Sequence, residues 1–430
     1  ASSIAPDVTT LVAARWVGGL AFGTLMRAPI YIAEIAPARL RGRMVSVYQL
    51  NFVVGVSAAY FANYFLLNAS QSGAAWVAVV GLDEHAWRWM LGLEAIPAAS
   101  YFFLMLLVPE SPRWLVLHGQ PERARRILER ITPAADVEQL LQEISSTAAG
   151  ATASLWNRVK QLLRPELRLV LLVGFIVGIA QQASGINSVY FYAPTIFEQS
   201  GVGTNAAFMQ ATYIGIINVV FTIIAMLTVD RFGRKPLLLL GLLGVFVSMS
   251  ITAYGFHSAS YEMPPERAAE IAERLGTPEL AVIGGMRFDN DLEFKGAIVD
   301  IIGRSALRAN ESTLIEAAIR MNPRIVLVGI LGFVASFAFS LGPVMWVLFS
   351  EIFPNRIRGV AMAVMGVVNS GVSTGVQFIF PWELANLGTA RTFLIYGAVS
   401  LICLLLIAKL LPETRGRTLE ELEQELVRRH

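Results

Sequence analysis

Glu34-Ile-Ala-Pro-Ala-Arg-Leu-Arg-Gly-Arg43 returns as Glu351-Ile-Phe-Pro-Asn-Arg-Ile-Arg-Gly-Val360, and long apolar stretches flank both copies. A second echo follows in each half, Pro109-Glu110-Ser111-Pro112-Arg113 and Pro412-Glu413-Thr414-Arg415, where an apolar stretch gives way to charge. Repeated apolar blocks with repeated charged junctions are the pattern of a two-half membrane transporter whose substrate sits between the halves.

Composition agrees. With 55% hydrophobic residues, 15% charged and a mean hydropathy of +0.57, the chain has more apolar surface than a soluble core of its length could hide. The lipid bilayer is therefore its expected solvent. A net charge of +2, with the basic residues gathered in short loops, excludes a nucleic-acid partner and makes charge a report on topology. Cys403 is the single cysteine and lies in an apolar run, so an internal disulfide is impossible. Residues 1–10 lack the basic start of a signal peptide and read as a loop.

A spanning helix needs about 20 mostly apolar residues. Nine stretches qualify, at 11–33, 44–67, 88–108, 168–195, 207–229, 236–256, 324–348, 360–381 and 391–411. Arginine and lysine crowd alternate loops, which places those loops and the C-terminus on the cytoplasmic side. Asp230-Arg-Phe-Gly-Arg-Lys235 has no twin in the first half, and the repeat spacing places that twin about 20 residues before Ala1. The expectation is an all-α membrane protein of two six-helix bundles, present here as three helices plus six. The expected domains are a partial first bundle (1–108), a cytoplasmic linker of amphipathic helices (109–167), a second bundle (168–411) and a cytoplasmic tail (412–430). A polar insert on the outer side, at 257–322, is long enough to fold locally.

Gln181-Gln182-Ala-Ser-Gly185-Ile-Asn187 places three carboxamides in an apolar segment, where unsatisfied amides are costly. On a regular helix the three spread around too much of the circumference to share a face; a break near Gly185, with Pro194 beyond, would turn them toward one cavity. Amides suit a neutral polyol, since each offers a donor and an acceptor without the desolvation cost of a charge. Trp346, mid-segment after Gly342-Pro343, is the expected aromatic face for a sugar ring. Interhelical hydrogen bonding is the plainer reading of the amides, and an interfacial belt that of the tryptophan.

Charged residues recurring at helix ends, Glu34, Arg41, Glu110, Arg113, Asp230, Arg234, Glu351, Arg358 and Glu413, are expected to form a cytoplasmic gate by pairing across the seam between halves. Arg15, Arg27 and Glu94 lie inside apparent spans. Arg15 is the proton-coupling candidate, while Arg27 fits snorkelling and Glu94 a hydrogen bond within the bundle. No metal-ligand spacing, nucleophile motif or phosphate loop is present in the sequence, so neither a cofactor nor enzymatic chemistry is expected.

Taken together, Arg15-Trp-Val-Gly-Gly19, Glu34–Gly42, Pro109-Glu-Ser-Pro-Arg-Trp114, Gln181–Asn187, Asp230–Lys235 and Pro412-Glu-Thr-Arg-Gly-Arg417 resemble the sugar porter family of the major facilitator superfamily. Within that family the chain is similar to bacterial xylose/proton symporters and facilitative glucose transporters. The resemblance implies a twelve-helix fold, of which this chain would hold helices four to twelve, with alternating access and a hexose or pentose bound mid-membrane. It implies sugar ligands at Gln49, Gln181, Gln182, Asn187, Asn218, Trp346 and Asn369, and an outer gate at Tyr192. It also implies a functional monomer in the plasma membrane, the bacterial inner membrane, moving sugar with a proton. The alternatives are a facilitative uniporter, a sugar sensor and an inactive fragment. The chain departs from the family at Val56 and Ser370, where relatives place glutamine and tryptophan near the sugar, at Phe191, where they have a tyrosine, and in the long insert.

Overall fold

The computed structural model describes residues 2–25, 31–32, 41–131, 134–149, 162–353 and 357–411. It separates into two units, residues 1–157 and 158–430.

The first unit begins with α1 (Val8–Leu25) and α2 (Arg41–Ser70), followed by the short α3 (Ala75–Val79), α4 (Ala86–Leu93) and α5 (Ala95–Met105). The span expected over 88–108 is divided at Glu94. Pro97 has no N–H to give the carbonyl four residues back, so the helix restarts instead of running through. The apolar side chains of α5 still point outward, with Phe102, Phe103 and Leu104 each at least 60% exposed, a surface suited to hydrocarbon rather than water. Three short helices follow: α6 (Pro112–Leu117), α7 (Pro121–Ile131) and α8 (Ala134–Ala149). Ser111 caps α6 by accepting the Trp114 N–H. Arg125 of α7 pairs with Glu138 of α8, and Ala124, Leu128 and Val137 form the buried apolar face.

The second unit contains the longer helices: α9 (Arg168–Ala183), α10 (Ile186–Glu198), α11 (Thr204–Phe232), α12 (Arg234–His257), α15 (Pro323–Phe339), α16 (Leu341–Ile352), α17 (Arg358–Asn386) and α18 (Thr389–Leu410). By length and hydropathy seven segments of the described chain can cross a membrane. One, Gln49–Ser70, is in the first unit, and six, from Arg168–Glu198 to Thr389–Leu410, are in the second. Nine were expected; the difference lies at the divided 88–108 segment and at α1, whose apolar part runs only over Val8–Leu20 among the described residues.

Helix α12 is the centre of the second unit, packed on both α15 and α18. Small residues let the α12 and α15 backbones approach: a Cβ on Gly329 would collide with the Thr252 hydroxyl and lie 3.0 Å from the Ser248 carbonyl oxygen. The hydroxyls at this seam are satisfied within their own helices, Thr252 donating to the Ser248 carbonyl and Ser336 to that of Gly332, so the contact is close packing rather than hydrogen-bonded glue. Gly329→Val is therefore expected to cost about 1–3 kcal/mol by overpacking. A thermal unfolding midpoint in detergent equal to that of the unaltered protein would contradict this.

Between α12 and α15 the chain leaves the bundle. Residues 257–322 form β1 (Ser260–Glu262), α13 (Pro265–Leu275), β2 (Arg287–Phe288), α14 (Asp291–Ala318) and β3 (Ile319–Arg320). The three strands form an antiparallel sheet in the order β2-β1-β3, with Tyr261 opposite Phe288 on one side and Ile319 on the other. Tyr261, Ile271, Leu280, Phe294, Ile298 and Leu314 form a core separate from the bundle. Asn290 starts α14 by accepting the Glu293 N–H while its own amide donates to the Glu293 carboxylate, a reciprocal cap.

Candidate functional site

The long segment Arg168–Glu198 is broken in its middle. α9 stops at Ala183, Gly185 takes φ +86°, and α10 starts at Ile186. Two constraints demand glycine: a left-handed backbone, and the Tyr396 ring, which would lie 3.1 Å from an added Cβ. A second irregularity follows at Tyr192 (φ −110°, ψ 16°), just before Pro194. The Tyr192 ring lies 5.2 Å from that of Phe380.

The break gathers the carboxamides. Gln182 Nε2 donates to Asn369 Oδ1 at 3.0 Å and to Gln181 Oε1 at 3.3 Å, and Gln182 Oε1 accepts from Asn187 Nδ2 at 2.8 Å. Asn369 Nδ2, on α17, donates to Gln181 Oε1 at 2.7 Å and to the Gly178 carbonyl at 3.0 Å. Gln181 Nε2 closes the group by donating to the Leu341 carbonyl at 3.2 Å. Leu341 opens α16 after a non-helical Ser340, one turn before Pro343. Every amide nitrogen in the group is engaged, whereas Asn187 Oδ1 has no partner among the described residues. An acceptor left open in an amide cluster fits a hydroxyl-bearing solute.

Ser373 and Gln377 extend the group. Asn187 Nδ2 donates to Ser373 Oγ at 2.7 Å, and Gln377 Nε2 donates to the same oxygen at 2.8 Å. With Asn369 they stand at intervals of four on one face of α17, a periodicity visible in the sequence as polar residues in an otherwise apolar helix.

The other expected ligands stand apart from this network. Asn218 is 3% exposed on α11 and makes no side-chain hydrogen bond among the described residues. Trp346 is half-buried on α16, its ring edge-on to Phe349 with centroids 6.0 Å apart. Gln49 is half-buried on α2, in the other unit.

Arg15 of α1 holds Glu94 through two hydrogen bonds, of 3.1 and 3.5 Å. Arg15 and Glu94, two of the three charges inside the apparent spans, thus neutralise one another, a partnership that sequence separation concealed. Among the expected gate residues, Arg234 and Glu351 pair at 2.7 Å, with side chains 13% and 26% exposed. This pair lies within the second unit, so it is not the pairing across halves that the repeat predicts. Glu110 pairs with Arg123 of α7 at 2.8 Å, and Arg113 is exposed. Glu34 and Glu413 lie outside the described residues, as do Arg27 and the side chains of Arg41, Asp230 and Arg358.

A bundle of apolar helices with outward-facing apolar side chains, one helix broken mid-span, and carboxamides converging at the break define a membrane carrier of the major facilitator type. The chain belongs to the sugar (and other) transporter family, whose sequence profile matches residues 1–265 and 301–426. It is 33% identical to the D-xylose-proton symporter of Escherichia coli K12 over 98% of this chain and 72% of that protein. It is 30% identical to the arabinose-proton symporter of Bacillus subtilis, covering 98% and 76%, and 31% identical to the glucose transporter GlcP of Staphylococcus epidermidis, covering 98% and 77%. A partially occluded inward-open structure of the E. coli xylose transporter XylE superposes with a TM-score of 0.67 at 30% identity, covering 96% of this chain and 76% of that one.

Proposed function

We propose that the protein carries a monosaccharide, a hexose or a pentose, across the membrane by alternating access, together with a proton. The observation that carries this reading is the carboxamide group at the Gly185 break, with its open Asn187 acceptor. Gln181, Gln182, Asn187 and Asn369 serve as sugar ligands, joined by Gln49, Asn218 and Trp346, whose indole covers the C–H face of the sugar ring. Sugar hydroxyls exchange with the amide–amide bonds, so binding needs little net desolvation. No bond in the solute is made or broken. Tyr192, at the second irregularity of the broken helix, acts as the outer gate. Arg234–Glu351, Glu110, Arg113 and the charges at 34, 41, 230, 358 and 413 control the cytoplasmic side, where the C-terminus lies. The setting is a plasma membrane, the bacterial inner membrane, with the monomer as the working unit. The domain limits at 108, 167 and 411 follow the changes from apolar to charged sequence. Relatives named as symporters of xylose and arabinose support both substrate class and coupling.

Arg15, held by Glu94, is the coupling candidate in the first unit, because a charge inside an apolar helix is a functional suspect. Proteoliposomes with an inward proton gradient and labelled D-xylose, L-arabinose or D-glucose provide the test. Accumulation above equilibrium is expected, with an uncoupler abolishing accumulation but sparing exchange; Arg15→Ala should reproduce the uncoupled behaviour. Accumulation that survives the uncoupler would refute proton coupling, and absence of uptake for all monosaccharides would refute the sugar assignment.

A further inference from the structure

The family match omits residues 266–300, the heart of the insert, yet the insert is bonded to two helices of the bundle. Lys295 of α14 places its ammonium 2.8 Å from Glu311 Oε1 and 4.0 Å from Asp291 Oδ2, with its side chain only 12% exposed. Each carboxylate then reaches a different transmembrane helix. Glu311 Oε1 accepts from Gln199 Nε2 at 3.3 Å, at the end of the broken helix α10. Asp291 Oδ2 accepts from the Thr389 backbone N–H at 3.1 Å and from its hydroxyl at 3.0 Å, in the first turn of α18. Gln199 and Thr389 also meet directly, at 2.8 Å.

Backbone fit is close at both ends. A Cβ on Gly388 would lie 2.7 Å from Asp291 Oδ1, and one on Gly203 would lie 3.3 Å from Glu316 Oε1. Asp291 takes the place of a missing cap on α18, whose own Gly388 offers no side chain. Buried charges with several partners resist separation, because removing one leaves the others unpaired in a poorly solvated place. The weak points of the broken helix lie elsewhere, at Gly185 and Tyr192.

We propose that the insert is a clamp that fixes the far end of α10 to the start of α18, with Lys295 as its positioning residue. Movement of α10 during transport is thereby confined to the segment between Gly185 and Tyr192. The second statement rests on the transport reading; the clamp itself does not. Hydrogen–deuterium exchange on the full chain therefore tests the clamp without any sugar. Lys295→Met is expected to raise exchange at least tenfold over 195–201 and over 388–393, with α13 still protected, and Lys295→Arg is expected to restore protection. Unchanged exchange at both ends, or loss of protection spread equally through α13, would overturn the clamp. Should the methionine variant not fold, Glu311→Gln must loosen 195–201 alone, and its failure to do so counts equally against the clamp.

Confinement is tested by Gln199→Cys with Glu311→Cys in a Cys403→Ala background, bridged by a bis-methanethiosulfonate reagent that replaces the two long side chains meeting at their tips. The cross-linked form is expected to keep at least half of the uptake of labelled D-xylose, or of whichever of the three sugars the unaltered protein carries. Uptake lost on cross-linking and regained with dithiothreitol would overturn confinement. A protein that transports no sugar even when unaltered would instead count against the transport reading, with the exchange result still deciding the clamp.

Discussion

Gln182→Ala is expected to weaken monosaccharide binding by roughly tenfold to a hundredfold. The side chain joins three partners, Gln181, Asn369 and Asn187, and its loss leaves a hydroxyl of the bound sugar without the amide it would otherwise meet. Leaving a buried polar group unpaired costs about 1–3 kcal/mol, and each 1.4 kcal/mol is about a factor of ten in affinity. The loss appears in binding because sugar hydroxyls need a framework already positioned, and Asn187 is held toward Asn369 only through Gln182 and toward α17 through Ser373. Trp346→Ala tests the same site by different chemistry, removing the ring face without touching the amides, and should also reduce affinity at least tenfold. Calorimetric titration of both purified variants with the transported sugar decides the matter: affinities equal to that of the unaltered protein in both would remove the proposed pocket. Ser373→Ala separates ligand from support, because Ser373 holds Asn187 and Gln377 in place.

The amide group was legible in the sequence because a carboxamide in an apolar run has few inexpensive explanations, and because Gly185 supplied the break that three scattered amides required. Ser373 and Gln377 escaped notice for the opposite reason: a serine and a single glutamine in a helix are common, and only the interval of four from Asn369 marks them. Charges behaved similarly. Their position at helix ends marks Arg234 and Glu351, but nothing in it reveals that they bond to one another within one half. Arg15 and Glu94 stand 79 positions apart, and nothing local in the sequence pairs them. The six spans of the second unit fall within a few residues of where hydropathy placed them, whereas the division of the 88–108 stretch at Glu94 was not legible, because hydropathy is blind to the backbone consequence of Pro97. The insert is legible in the sequence as a polar segment, but its anchoring depends on Lys295, whose two carboxylate partners, four and sixteen positions away, no local pattern marks.

Arg234→Ala and Glu351→Ala are each expected to cost about 3 kcal/mol, the low end of the range for breaking a buried ion pair, since both side chains keep some exposure. The pair is unusual in its placement. Arg234 occupies the first position of α12 and Glu351 the last turn of α16, so each charge sits at the helix end whose dipole disfavours it. The 2.7 Å contact offsets this, and Arg234 also donates to the Val229 carbonyl at 3.3 Å, in the last turn of α11, where a cation is favourable. Exchanging them, Arg234→Glu with Glu351→Arg, keeps the pair and reverses both dipole terms of α12 and α16, each worth about 0.3–1 kcal/mol, but gives up the bond to Val229. The exchanged protein should thus unfold near the temperature of the unaltered one, while the single variants unfold well below it. Transport should respond differently. A gate depends on where each charge sits when the pair is open as well as when it is closed, so the exchanged protein is expected to turn over several-fold more slowly at unchanged sugar affinity. Recovery of stability together with undiminished turnover would show that the pair stays closed throughout the cycle and serves as a structural tie rather than a gate.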